Sequence, residues 1–355
     1  MAVKVQYRDL QDKFECDTAT MESVLDVIQI VHPQFGFKWL FQETKGRLKS
    51  ELDFESEAGN SVRCSRELKH LPYLYVPKVL EECSSKRILT TEFIDGIKVS
   101  DKEALEKAGL DLARIDREIL NIFAQQLFLT GFIHADPHPG NILIRPIPGT
   151  IQSQVVLLDH GLYEEISDEV REAFAGLWMG IVQQDHQEMQ SCCERLNVKD
   201  YRVFAMAVSQ RFISSAPGTE DELDFSKMLG GRGFNRKIFR SLPAEKKQEI
   251  RQILSKFHDR MFETFQGMPP CMVLVMRNLN TIRGLITAHS TGVDRFRTMA
   301  RTAVTGRFSG GFRGVLAKFV FEMRLLWDSI KMFTLSASLN IVKKLGLEAM
   351  DHPEL

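Results

Sequence analysis

The stretch His134-Ala135-Asp136-Pro137-His138-Pro139-Gly140-Asn141 is followed by two short apolar runs, Ile142 to Ile144 and Val155 to Leu158, and then by Asp159-His160-Gly161. Between the runs, Pro146, Pro148 and Gly149 mark a turn, so the order is polar loop, strand, turn, strand, acidic turn. Phosphoryl transfer needs a carboxylate that orients the attacking hydroxyl and accepts its proton. It also needs oxygen ligands for the Mg²⁺ that neutralises the phosphates. The spacing predicts Asp136 for the first task and Asn141 and Asp159 for the second, with Gly161 closing the acidic turn. Plain loop chemistry would use the same residue types as turn formers and caps, but it leaves the ordered set unexplained. A zinc cluster of His134, Asp136 and His138 does the same: Pro137 and Pro139 restrict the backbone there, and Asn141 and Asp159 take no part.

Working outward, Ala2-Val3-Lys4-Val5-Gln6 alternates as a strand, with Ala2 and Lys4 on one face. A lysine that contacts α- and β-phosphates must be held extended, and a helix carboxylate does this by ion pairing. Lys4 is therefore the expected phosphate contact, and small Ala2 leaves room for a base. Glu51, Asp53, Glu55 and Glu57 are the acidic residues of the helix that would hold it. Alone, Lys4 would read as a surface residue and the acidic run as a solvated face; the downstream loop decides otherwise.

Helical spacing covers Asp9 to Val31, Trp39 to about Leu68 (with Leu48, Leu52 and Phe54 on its apolar side) and Leu112 to Thr130. Strands are expected around Tyr73 to Leu80 and Arg87 to Phe93, and Asp95-Gly96 is a turn at a lobe boundary. Beyond Gly161 the chain reads helical, broken at Ser214 to Arg236. The cluster Gly230-Gly231-Arg232-Gly233 there lacks the preceding strand and the Lys-Ser/Thr of a phosphate cradle and reads as a plain loop. From Gly311 to Gly346 an amphipathic helix carries Phe319, Met323, Leu326, Ile330 and Phe333 on one stripe, expected to pack on the helical lobe. Its uncharged run is too short to span a bilayer, and contact with a membrane surface through 311–346 is the alternative.

The chain has 355 residues and a formal net charge of -1, with a pI near 6.8. It can bury a sizeable core and has no global field to attract nucleic acid. Its six cysteines show no C-x-x-C pair, which points to reduced thiols in a cytosolic or matrix-like compartment, and the opening residues carry no targeting pattern.

Taken together, Ala2 to Gln6, Glu51 to Ala58, His134 to Asn141 and Asp159 to Gly161 resemble the UbiB or AarF-domain family of atypical kinases, over roughly residues 1 to 305. Among its branches the chain is most similar to the mitochondrial aarF-domain-containing kinases of eukaryotes, near the fifth human paralogue. The resemblance implies an α+β, protein-kinase-like two-lobed fold with a truncated N-lobe and an expanded helical C-lobe. Its parts would be a partial N-lobe at 1–95, a C-lobe at 96–305, and a C-terminal amphipathic helix and tail at 306–355. By position, Lys4 resembles the ATP-contacting lysine, Glu57 its helix partner, and Glu51 and Asp53 the Glu-x-Asp element. Asp136, Asn141 and Asp159 resemble the catalytic and metal-binding residues.

The implied cofactors are ATP and Mg²⁺, the implied acceptor a lipid, small molecule or protein, and the implied setting mitochondrial lipid or quinone metabolism. Aminoglycoside or choline phosphotransferases share the His-x-Asp loop but usually carry Asp-x-Asp where this chain has Asp159-His160-Gly161. A silent nucleotide-binding scaffold is the non-enzymatic alternative. The family places a Lys-x-Gly-Gln helix and an Ala-rich loop ahead of the lysine strand. Neither precedes Lys4 here, so the expectation is that Met1 is an internal methionine or alternative start, that upstream sequence exists, and that the opening strand is an edge without neighbours.

Overall fold

The computed structural model describes residues 1–31, 41–42, 45–46, 52–147, 152–211, 213, 260–261, 263–265, 267–308, 314–327 and 330. Glu51, the glycine cluster at 230–233, the turn at 148–151 and the tail from 331 onward, including Phe333, lie outside the described residues.

The opening strand β1 (Ala2–Val5) is followed by helix α1 (Leu10–Val31), whose one buried residue is Thr18. Next comes α2 (Phe54–Glu67). The long helix expected from Trp39 to Leu68 does not run through to its end: Asp53 is extended and its carboxylate accepts the Glu55 N–H, so the chain starts a new helix at Phe54. Leu52 lies before that start, and Leu48 is outside the described residues.

Among the described residues, eight strands form three small sheets. β3 (Ile88–Thr91) pairs antiparallel with β1, setting Lys4 opposite Leu89. The lysine strand thus has a neighbour, which corrects the expectation of an unpaired edge. β2 (Leu74–Tyr75) pairs parallel with β7 (Ser153–Leu157). β7 forms a hairpin with β6 (Ile142–Pro146), and β4 (Ile97–Lys98) completes the order β2-β7-β6-β4. The third sheet is β5 (Phe132–His134) against β8 (Tyr163–Glu165), with His134 opposite Tyr163. The two strands expected between 73 and 93 are therefore shorter than read, and they belong to different sheets. β4, β5 and β8 are two or three residues long, too short for a period-two pattern to show in sequence.

Helices supply the rest: α3 (Lys102–Lys107), α4 (Leu112–Gln125), α5 (Asp168–Gln183), α6 (His186–Arg195), α7 (Tyr201–Ser209), α8 (Cys271–His289) and α9 (Arg295–Arg307). Six of these seven starts share one chemistry, and α8 follows Pro270 without a side-chain cap. Asp101, Asp111, Ser167, Asp185, Asp200 and Asp294 each accept first-turn N–H groups that would otherwise lack partners. α4 lies at the centre, with Ile115, Ile119, Leu120, Ile122 and Phe123 buried. It ends in a π-helical turn, Gln126–Thr130, closed by left-handed Gly131. At Gly306 a Cβ would land inside the carbonyl of Phe128, so α9 can press against this turn only because that residue is glycine. Trp178 of α5 packs between Phe128, Phe174 and Phe296, and its indole N–H donates to the Phe296 carbonyl.

The segment from 314 to 327 meets this lobe with the face opposite to the one expected. Phe321 and Leu325 are buried, whereas Phe319, Met323, Leu326 and Ile330 stand exposed. Two apolar rows share this helix, and the sequence cannot say which of them finds a partner. Leu316, Val320 and Phe321 instead line a groove with Met179, Phe308 and Arg307. Phe321→Asp should therefore lower the melting temperature, by forcing a charge into an apolar contact at a cost of several kcal/mol, and Phe319→Asp should leave it unchanged. Equal melting curves for the two variants would show that the packed face is misassigned. Among the described residues, no helix is long and apolar enough to cross a membrane.

Candidate active site

Three sequence-distant carboxylates and amines meet where β1, α2 and the turn after β7 converge. The Lys4 Nζ donates to both oxygens of Glu57, each at 2.9 Å, and lies 3.4 Å from Asp159 Oδ2. It also sits 5.1 Å from the centre of the Phe54 ring. Glu57 is almost fully buried, one turn into α2 and beneath the ammonium, while Lys4 keeps a solvent-facing side. The pair is directional: β1 fixes Lys4 through its ladder with β3, and the Asp53 cap fixes where α2 begins and hence where Glu57 points.

The electrostatics follow from this crowding. Burial opposes the Lys4 charge, but the Glu57 hydrogen bond and the negative charges of Asp159 and Glu57 outweigh it and hold the ammonium above its ordinary pKa. Burial, followed by the nearby Asp159 charge, pushes Glu57 up. Asp159 is held low: burial works against its charge, and Lys4 and the Gly161 N–H overcome that. The Gly161 N–H donates to Asp159 Oδ1 at 3.0 Å. A Cβ on Gly161 would come within 3.3 Å of that same oxygen, so the glycine allows the turn to wrap tightly around the carboxylate.

In front of these groups lies a cavity of about 450 Å³. Lys4, Glu57, Asn141 and Asp159 form its polar end; Ala2, Leu89, Phe93, Ile94, Leu143 and Leu158 form its apolar walls. The alternation of β6 explains Leu143, which faces the cavity while Ile142 and Ile144 face the core. Asn141 is brought beside Asp159 by the main chain, since the Leu158 N–H donates to the Asn141 carbonyl at 2.9 Å. Hard oxygen donors of an amide and a carboxylate, next to a cation that keeps other cations out of the Glu57 side, suit Mg²⁺. Among the described residues, no group of three His, Cys, Asp or Glu side chains could hold a metal by itself.

Asp136 is placed differently. It is 37% exposed, outside the cavity wall, and Arg277 of α8 approaches its Oδ1 to 3.1 Å. Asp53 caps α2 and does not line the cavity. The two loop histidines serve the backbone: His134 Nδ1 accepts the Asp136 N–H, and His138 Nδ1 accepts the Gly140 N–H. Arg277, Asn278 and Asn60 are the residues that sequence reasoning missed. Asn278 donates to the His134 carbonyl at 2.6 Å and Asn60 to the His160 carbonyl at 3.0 Å, so each pins one of the two candidate loops. They sit on plain helices with no local motif, and only the fold brings them in.

Beneath the loops, His134 and His160 are buried and stack near Tyr163, whose hydroxyl meets His160 Nδ1 at 2.9 Å. Burial pushes His134 down to about 4 and His160 down to about 3. Both stay neutral in the fold but take a proton when unfolded below about pH 6.5, so the stability they contribute is whole above that pH and drains as pH falls. Roughly 2 kcal/mol for each imidazole should be lost between pH 7 and pH 5. Denaturant titrations at the two pH values check this; a stability independent of pH over that window would contradict the neutral assignment.

Several known proteins are similar to this chain. The "Probable serine/threonine-protein kinase abkD" of Dictyostelium discoideum is 34% identical over 311 residues, 86% of this chain and 42% of that protein. The AarF domain-containing protein kinase 1 of Gallus gallus is 31% identical over 308 residues, 86% of this chain and 56% of that protein. The chain thus spans about half the length of these curated relatives. The solved complex of Rv3197 with erythromycin from Mycobacterium tuberculosis superposes with a TM-score of 0.43 at 17% identity, covering 77% of this chain and 69% of that one. The ABC1 atypical kinase-like domain matches residues 1–193, more than half of the chain. That match takes in Lys4, Glu57, the His134 to Asn141 loop and Asp159, and with it the kinase-like α+β fold class read from the sequence. The chain belongs to the ABC1 atypical kinase-like family.

Proposed function

We propose that this chain binds Mg-ATP in the cavity between β1 and the β6–β7 hairpin and transfers the terminal phosphoryl group to a hydroxyl or to water. The observation that carries this is the Lys4 ammonium, gripped by both oxygens of buried Glu57 and turned toward Asp159 at the polar end of a cavity of base-accommodating size. Lys4 would contact the α- and β-phosphates, and its partner keeps it from collapsing onto the metal ligand. Asn141 and Asp159 would hold Mg²⁺, which when bound neutralises phosphate charge. Ala2, Leu89 and Leu143 would sandwich the base, because they are the apolar walls beside Lys4. Asp136 orients the acceptor oxygen and takes its proton.

The acceptor is a lipid, small molecule or protein hydroxyl, and the setting, by the resemblance, mitochondrial lipid or quinone metabolism. The exposed apolar face at Phe319, Met323 and Trp327 supports contact with a membrane surface as part of that setting.

Lys4→Met tests the site directly. It should weaken Mg-ATP binding roughly tenfold to a hundredfold, the worth of one charge-assisted contact, and lower the melting temperature because buried Glu57 loses its partner. Calorimetric titration reads it, and unchanged affinity with unchanged turnover would overturn the proposal. Nucleotide binding without turnover, against every acceptor class, would select a silent scaffold instead.

A further inference from the structure

Around the Phe296 ring, three guanidinium groups gather without a matching set of carboxylates among the described residues. Arg295, at the start of α9, lies over the Phe296 ring at 4.3 Å, and Arg211, just after α7, lies over the same ring at 4.5 Å. Arg283 of α8 and Arg295 line a cavity of about 460 Å³ together with Thr287, Ser290 and Phe296; Arg211 is not in its lining and adjoins it through the shared Phe296 ring. Arg295 is anchored by donating to the Ser209 carbonyl at 2.5 Å, which is neutral and leaves its charge unbalanced.

The acidic side chain in the wall, Asp294, is already engaged. Its Oδ1 accepts the N–H groups of Phe296 and Arg297, and its Oδ2 lies 3.4 Å from the Arg297 guanidinium. Among the described residues, neither Arg211 nor Arg283 has a carboxylate partner. Gathering like charges this way costs free energy unless something anionic offsets it. Burial, with the charges of Arg283 and Arg211, lowers Arg295 to about 10.

We propose that Arg283, Arg295 and Arg211 form an anion site for a phosphate group carried by a small molecule or a lipid, with Thr287 and Ser290 as its hydroxyl wall. Planar guanidinium forks match phosphate oxygens, three cations suit a dianion, and the cavity is larger than a bare anion needs. The site is separate from the nucleotide cavity, with which it shares no lining residue. It lies on the same helix as Arg277, which pairs with Asp136, about 9 Å of helical rise away. α8 therefore joins this site to the catalytic loop.

The test uses the full chain and exposed residues whose loss does not open the core. Inorganic phosphate and glycerol 3-phosphate, titrated by calorimetry at fixed ionic strength, should bind the wild type. Arg283→Gln and Arg211→Gln should each weaken that binding about tenfold while melting as the wild type does in the absence of ligand. Phosphatidylcholine vesicles with about a tenth phosphatidic acid distinguish the source. Arginine-dependent capture of vesicles without soluble binding assigns a lipid headgroup, and the reverse assigns a soluble phosphate. Wild type and variants that bind phosphate equally and capture vesicles equally, or a wild type that neither binds phosphate better than chloride nor captures the vesicles, overturn the site. Neither result touches the nucleotide proposal, which is read from Lys4.

Discussion

Replacing Asp136 with Asn should leave Mg-nucleotide binding intact and reduce turnover by about a thousandfold, whereas Asp159→Asn should lose most of the binding itself. The two carboxylates differ in place as well as in motif. Asp159 stands in the cavity wall, within reach of Lys4 and wrapped by the Gly161 N–H, where a metal and phosphates would be held. Asp136 stands outside that wall, partly exposed and steered by Arg277, where an acceptor hydroxyl would arrive. Removing a positioned base costs turnover on the order of 10² to 10⁴ without cost to ground-state binding, and removing a metal ligand costs both. Calorimetry for binding and a coupled ATP assay for turnover, run on both variants, separate the cases. A reversed pattern, with Asp136→Asn abolishing binding and Asp159→Asn leaving it intact, would mean that the roles are exchanged.

Asp116→Ala should be the most damaging substitution outside the candidate active site, lowering stability by about 3 to 5 kcal/mol. Asp116 and His289 are both buried, with Oδ1 and Nδ1 2.6 Å apart; the other imidazole nitrogen faces the Val99 carbonyl at 2.8 Å, and Thr291 donates to Asp116 Oδ2 at 2.5 Å. Both ring nitrogens face acceptors, so both carry protons and the ring is charged. The Asp116 hydrogen bond leads in raising the His289 pKa. This pair ties α4, the end of α8 and the strand leading to α3 into one body. Truncating Asp116 strands a buried cation, and Asp116→Asn, which keeps a hydrogen bond but not the charge, should cost less. Because the folded pKa lies above the unfolded one, the stability this pair contributes is whole below about pH 6.5 and is lost as pH rises through the folded value. That is the opposite sense to His134 and His160. Melting curves of wild type and Asp116→Ala over a pH series give the check: the gap between them should narrow toward alkaline pH, and a constant gap would rule out the charged pair.

Much of the candidate site could be read from the chain because its pattern is local. Asp136, Asn141 and Asp159 lie in fixed register around one hairpin, and a loop-strand-turn-strand pattern can be read from turn residues and apolar runs alone. The Lys4–Glu57 contact could be anticipated only through the family resemblance, since 53 residues separate the partners and no spacing rule connects them. Helix starts are set by equally local chemistry, the capping aspartates, yet the sequence reading ran one helix through Asp53, which caps α2 and does not face the cavity.

The tertiary structure alone decided the rest. It chose Phe321 and Leu325 over Phe319 and Leu326 as the buried row, because an amphipathic pattern fixes that a face exists and not which neighbour it meets. It paired β1 with β3 and sent β2 to β7, because strands of two to four residues carry too little periodicity to specify partners. It brought Arg277, Asn278 and Asn60 to the loops, and Arg283 and Arg295 to one cavity with Arg211 over its Phe296 wall, from stretches with no motif of their own. Sequence fixes what depends on neighbours in the chain. Contacts between distant side chains depend on how whole helices pack, and that is settled only when the core closes around α4.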